Sequence, residues 1–179
     1  GGIIKPIRFE NILLPNTSMK VLKFGGTSVG SVDSIRQIQH IIGQQTDDCI
    51  VVVSALGGIT DQLLKAAHLA LEAGEEYMEV YQAIRCRHMD MVNTLITNPT
   101  TRQMLCLELE GILDELRSIL FGVHLVKDLS DKTEAAIVSY GERMSSRIVT
   151  AALPGAVRKN SLQFIRTEHK QGQVLLNTE

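Results

Sequence analysis

The sequence predicts an α/β fold built on a parallel sheet, and three observations carry that reading. Short apolar runs alternate with longer segments of helical periodicity. The run Cys49–Ser54 is continuously apolar and β-branched up to its terminal serine, the pattern of a strand buried on both faces of a parallel sheet. Both of the first two strand patterns end in paired glycines that lead directly into a helix start.

Lys20–Phe24 is the first strand. Ser31 is a suitable N-cap, and Val32, Ile35, Ile38 and Ile42 follow at helical spacing, with Gly43 expected just past the helix end. After the Cys49–Ser54 strand, Gly57-Gly58 makes a second turn. Thr60 is expected to cap a helix with Leu63, Leu64, Ala67 and Leu71 on one side, ended by Gly74. A longer helix runs from about Tyr77 to Ile96, with Tyr81, Ile84, His88, Met91 and Leu95 as its stripe, and Asn98-Pro99 stops it. The next runs from about Thr101 to Phe121 with Leu105, Leu109, Ile112, Leu116 and Leu120. A last helix follows Ser130 to about Leu153, closed by Pro154-Gly155, and a short strand is expected at Gln163–Thr167. Three strand patterns are few for five helices, which predicts a chain that stops before its sheet is complete.

Residues 1–18 differ in texture, with Gly1-Gly2 at the start and prolines at 6 and 15. They read as an upstream extension or appended segment ahead of a natural start at Met19, with an extra strand at Ile7–Leu14 as the alternative. Residues 19–179 are then the functional unit.

A net charge of −2 with 4% aromatics argues against a nucleic-acid surface. No apolar run approaches the ~20 residues of a membrane span. Three cysteines without C-x-x-C spacing and five histidines without ligand spacing suggest neither a disulfide frame nor a metal site. Reduced thiols in a cytoplasmic protein are the expectation.

Three constellations could carry chemistry. Lys23-Phe24-Gly25-Gly26-Thr27-Ser28 places a cation, two glycines and two hydroxyls between a strand and a helix. Glycines let the backbone approach an oxyanion and permit positive φ, and successive N–H groups can form an anion nest. Lysine supplies a point charge for phosphoryl oxygens. The lysine precedes the glycines, so this is not a P-loop, and the same residues read equally well as a plain glycine turn. The second constellation, Ser54 to Asp61, repeats the logic. Ligands of open parallel sheets sit outside the carboxyl ends of the strands, so both turns could line one crevice. The third is Gly141-Glu142-Arg143 inside a helix. An interior glycine costs about 1 kcal/mol against alanine and points to close packing or a close ligand.

Taken together, the three segments resemble the aspartate kinases. Lys23-Phe-Gly-Gly-Thr-Ser-Val-Gly30 is similar to that family's N-terminal signature. Val51 to Thr60 is similar to its second glycine loop, and Ser139-Tyr-Gly-Glu-Arg143 to its helix-borne element. The tail through Gln163-Phe-Ile-Arg-Thr-Glu168 is most similar to the kinase part of bifunctional aspartokinase/homoserine dehydrogenases. The resemblance implies an amino-acid-kinase-like three-layer fold with a mainly parallel sheet, here an N-terminal, aspartate-binding fragment. It implies transfer of the ATP γ-phosphoryl group to the β-carboxylate of L-aspartate, at the entry to lysine, threonine and methionine biosynthesis. Mg²⁺ would accompany ATP, and the parent would be a homo-oligomer. Lys23 would be catalytic, and Lys23, Phe24, Gly25, Gly26, Thr27 and Ser28 would hold phosphate. Ser54, Thr60 and Glu142 would bind aspartate, with Glu142 near its ammonium group. Asp61 departs from the asparagine common in the family and puts a negative charge near an anionic substrate. Relatives acting on glutamate, acetylglutamate or a nucleotide monophosphate are the alternative enzymes. A non-catalytic assembly module remains a third possibility, and it requires that Lys23 and Glu142 not share a crevice.

Overall fold

The structure, a computed structural model, describes residues 20–45, 49–153 and 155–156. Its elements are β1 (Lys20–Phe24), α1 (Val32–Gly43), β2 (Cys49–Val53), α2 (Ile59–Ala70), α3 (Glu76–Leu95), α4 (Pro99–Val126) and α5 (Asp131–Ala152). The strands proposed at 7–14 and 163–167 lie outside the described residues.

β1 and β2 pair in parallel, with Lys23 opposite Val52 and Phe24 opposite Val53. In β1 the side chains alternate, as the two-residue period of a strand requires. Leu22 and Phe24 are buried, and Lys23 between them is exposed. The ladder runs one residue beyond β2, where the Ser54 N–H donates to the Phe24 carbonyl at 3.0 Å. The expected two-sided burial of β2 is corrected: every one of its residues is only half-buried. Among the described residues it pairs with β1 alone, so its other edge has no neighbouring strand.

Three helix starts follow from side-chain caps. Ser31, Asn98 and Ser130 accept from the backbone N–H of Ser34, Thr101 and Thr133 at 3.1, 2.9 and 3.2 Å. Asn98-Pro99 thus both stops α3 and starts α4, with Pro99 in the first turn, where its missing N–H costs nothing. The cap assigned to Thr60 is corrected. Gly58, at φ 81°, turns the chain into α2, and no side chain caps this helix. Thr60 is already inside the first turn. Gly43 is likewise the last residue of α1 and not the residue past it, with Gln44 in ordinary right-handed geometry as the cap. α2 ends at Ala70, short of Gly74, and α4 continues past Phe121 to Val126.

Helix α2 packs against α3, α4 and α5, α4 packs against α5, and α5 lies against β2. The seam is apolar: Ile59, Leu63, Ala66 and Ala67 of α2 meet a core that includes Ile84, Leu109, Leu113, Leu116, Ile137, Met144 and Ile148. Polar ties flank it. Arg143 and Arg147 of α5 reach Glu115 and Glu108 of α4 at 2.9 and 2.6 Å, and Arg85 of α3 pairs with Glu110. Each such exposed pair is worth only about 0–1 kcal/mol, so burial and not charge holds the helices together. Glu115 also accepts from the Tyr140 hydroxyl at 3.2 Å, and the Arg143 guanidinium lies over the Tyr140 ring. These contacts pin the turn of α5 that contains Glu142. No helix among the described residues is long and apolar enough to cross a membrane.

Candidate functional site

The first glycine loop leaves β1 at Phe24, whose side chain is core and 1% exposed. The Gly25 carbonyl accepts from the N–H groups of Ser28 and Val29 at 2.9 and 3.2 Å, which curls the loop toward α1. The N–H groups of Gly25, Gly26 and Thr27 donate to no acceptor among the described residues. Gly25 and Thr27 are exposed. Successive free amides of this kind are what an oxyanion requires. The Ser28 amide is already engaged, so its hydroxyl is what it has left to offer.

Positive φ is not the reason for these two glycines, contrary to the expectation, since neither adopts it. Gly26 is required by contact instead. A Cβ there would stand 3.3 Å from the Ala55 carbonyl oxygen and 3.5 Å from the Gly57 Cα. The reverse view is tighter, with a Cβ on Gly57 meeting the Gly26 carbonyl oxygen at 3.0 Å. The two glycine loops therefore lie backbone against backbone, at the carboxyl ends of paired strands.

Helix α5 enters the same region through Gly141. A Cβ on this residue would sit 2.7 Å from the Ala55 Cβ and 3.2 Å from Leu63 Cδ1. Of the two reasons considered for an interior glycine, the structure gives close packing. One turn later the buried Ser145 hydroxyl donates to the Ser54 carbonyl at 2.6 Å. Glu142 stands between these two anchors.

Lys23 and Glu142 are exposed residues on different elements, yet the Lys23 charge acts on the Glu142 carboxyl. Protein packed around the Glu142 carboxyl raises its pKa above the ordinary glutamate value, and the positive charge of Lys23 pulls it back down. The two form no ion pair, and neither head group hydrogen-bonds to a described residue. The hydroxyls of Ser54 and Thr60 are also unbonded among the described residues. The arrangement thus offers a cation, an anion, two hydroxyls and three amides, none of them consumed by a described residue. Asp61 is exposed in the first turn of α2. A separate hollow of about 460 Å³, lined by Val32, Cys86, Arg87, Asp90 and Thr94, contains neither Lys23 nor Glu142.

Sequence reasoning missed Ser145 and Glu115, which hold α5 in place. Ser145 continues the buried stripe of Tyr140, Gly141 and Met144, so a polar residue at a core position was its available signal. Glu115 had none. Among the described residues no group of three His, Cys, Asp or Glu side chains could hold a metal ion.

The chain matches the amino acid kinase family over residues 18–177. It is 32% identical over 137 residues to aspartokinase 2, chloroplastic, of Arabidopsis thaliana, a match covering 74% of this chain and 24% of that protein. It is 30% identical over 141 residues to the bifunctional aspartokinase/homoserine dehydrogenase of Buchnera aphidicola, covering 75% of this chain and 17% of the relative. Among solved structures it is similar to E. coli aspartokinase III in complex with lysine and aspartate, with a TM-score of 0.64 at 28% identity. The same enzyme with aspartate and ADP gives 0.62 at 27% identity. Each of these two matches covers 74% of this chain and 28% of the solved one. The chain spans a quarter or less of the length of the two curated relatives. With residues 18–177 of 179 matched and its parallel β1–β2 pair and glycine loops laid out as described, the chain belongs to the amino acid kinase family.

Proposed function

We propose that this chain supplies the phosphate loop and the amino-acid pocket of an aspartate kinase, which converts ATP and L-aspartate to 4-phospho-L-aspartate and ADP. The observation that carries this reading is that the Lys23 charge acts on the Glu142 carboxyl while neither head group is paired among the described residues. An assembly module has no use for two such uncompensated groups beside three free amides. The solved relatives hold aspartate, in one case together with ADP.

The attacking group is already a carboxylate, so the reaction needs no general base. Catalysis reduces to alignment and to neutralising charge on the transferring phosphoryl group. Lys23 supplies positive charge at the end of β1. The free N–H groups of Gly25, Gly26 and Thr27 receive phosphoryl oxygens, with the Thr27 and Ser28 hydroxyls at their side. Glu142 faces the substrate ammonium, and Ser54 and Thr60 hydrogen-bond to the substrate from the second loop. Mg²⁺ would arrive on the phosphates of ATP. The described residues provide no metal-ligand set of their own.

The test is acyl phosphate formation by the intact parent protein, trapped as the hydroxamate, with aspartate, glutamate, acetylglutamate and a nucleoside monophosphate compared side by side. Aspartate is expected to give the highest kcat/KM, and Lys23→Ala to lower kcat by about a hundredfold or more with the melting temperature unchanged. Preference for another acceptor moves the protein elsewhere in the family. A near-normal rate for Lys23→Ala removes the role given to Lys23.

A further inference from the structure

Arg87 belongs to neither glycine loop, yet it bonds to the first and lies beside the second. Its Nη2 donates to the Gly30 carbonyl at 3.3 Å, where the first loop passes into α1. Its Nη1 lies 3.7 Å from the point that a Cβ on Gly58 would occupy, in the second loop. Between these two points the loops meet directly, since a Cβ on Gly57 would stand 3.6 Å from the Gly30 Cα. The guanidinium therefore spans a seam made of glycine backbone.

The seam matters because its four glycines can carry no side-chain bond of their own. Gly26, Gly30, Gly57 and Gly58 have no side chains, so their mutual position rests on backbone packing and on groups that reach in from outside. Arg87 comes from α3, which packs against α2 and α1, the two helices that the loops open. A planar fork with separated arms suits a site where one arm must bond while the other fills space against a second segment; a lysine ammonium offers a single point.

We infer that Arg87 is a positioning residue that fastens the first glycine loop to the second and so keeps the phosphate side of the crevice in register with the amino-acid side. The kinetic consequence rests on the aspartate kinase reading; the structural one does not.

The experiment compares Arg87→Ala and Arg87→Lys with wild type in the intact parent protein. It uses thermal unfolding, amide hydrogen exchange, and steady-state kinetics with both substrates varied. For Arg87→Ala, exchange over residues 25–30 and 57–59 is expected to speed up about tenfold or more, with exchange in the core of α4 unchanged. Misaligned halves still bind their own ligands, so kcat should fall about a hundredfold while each KM stays within about threefold. Arg87→Lys keeps the charge without the fork and should stay within about threefold of the alanine variant. Unchanged loop exchange in Arg87→Ala overturns the inference. So does equal acceleration throughout α4, which would make the effect global, and so does full recovery of kcat in Arg87→Lys. If the parent forms no acyl phosphate from aspartate, the functional reading falls, and loop exchange alone decides the role of Arg87.

Discussion

A Cβ on Gly57 would stand 3.0 Å from the carbonyl oxygen of Gly26 and 3.6 Å from the Gly26 carbonyl carbon. Both neighbours are backbone, fixed on one side by the β1–β2 ladder and on the other by the start of α1, so neither can yield cheaply. Gly57→Ala is therefore expected to lose about 1–3 kcal/mol of stability by overpacking. Gly25→Ala meets nothing within 4 Å at a backbone without positive φ, and should leave stability within about 0.5 kcal/mol. Urea unfolding of the two variants measures the contrast. Equal effects would mean that the loops are not in contact.

Gly141→Ala sets two effects against each other. Helix propensity favours alanine by about 1 kcal/mol. The new methyl would stand 2.7 Å from the Ala55 Cβ, and that short side chain cannot rotate away. Overpacking of this kind costs about 1–3 kcal/mol, so the net change should be destabilising. It should also push α5 off the second loop and stretch the 2.6 Å bond from Ser145 to the Ser54 carbonyl. Added stability in the variant would show that α5 sits farther from Ala55 than described.

The helix starts at Ser31 and Ser130 were legible in the sequence because each side chain bonds to an N–H three residues away, whereas Asn98-Pro99 read only as the stop of α3 and also caps α4. The α2 start was not. Gly58 achieves by backbone angle what Thr60 was expected to do by side chain, and composition does not reveal φ. The exposure of β2 escaped for a different reason: a β-branched run records what a strand can bury, while its neighbours decide what it does bury. At the site, the Lys23, Gly26, Gly57 and Glu142 segments stood out by residue type. Arg87, Ser145 and Glu115 did not, because their partners lie 57, 91 and 28 residues away, and for two of them the partner is a backbone carbonyl.

The Lys23 charge lowers a Glu142 pKa that burial has raised. Lys23→Met removes the charge and keeps much of the side-chain volume, so the Glu142 pKa should rise further above the ordinary 4.5. The sign for stability follows. A carboxyl whose folded pKa is raised contributes fully below 4.5 and loses that contribution as pH rises through its folded value. The loss should be larger in Lys23→Met. Carbon-detected NMR titration of the Glu142 carboxyl in both proteins reads this directly, and identical titration curves would place Lys23 too far away to share a ligand with Glu142.

His88 on α3 is fully buried, with Nδ1 2.7 Å from the Ile84 carbonyl and Nε2 without a partner among the described residues. A carbonyl only accepts, so Nδ1 carries the proton and the neutral ring is the folded form. Burial pushes the pKa down to about 4, against the opposing effect of the Ile84 bond and with a smaller contribution from the Arg87 charge. The unfolded chain keeps the ordinary 6.5, so between about 4 and 6.5 it binds more protons than the folded one. Stability conferred by neutral His88 is then present above 6.5, falls as pH drops through this window, and changes no further below about 4. At 1.36 kcal/mol per unit, the loss between pH 7 and pH 4.5 is about 2–3 kcal/mol. His88→Gln and His88→Leu cannot take up a proton there, so their loss of stability over that interval should be smaller than wild type by this amount. Urea titrations at the two pH values give the comparison. The contrast isolates His88, because surface pairs such as Arg143–Glu115 contribute equally to all three proteins. If the variants are as acid-sensitive as wild type, the acid response belongs to those carboxylates, and His88 is already charged or solvated at pH 7.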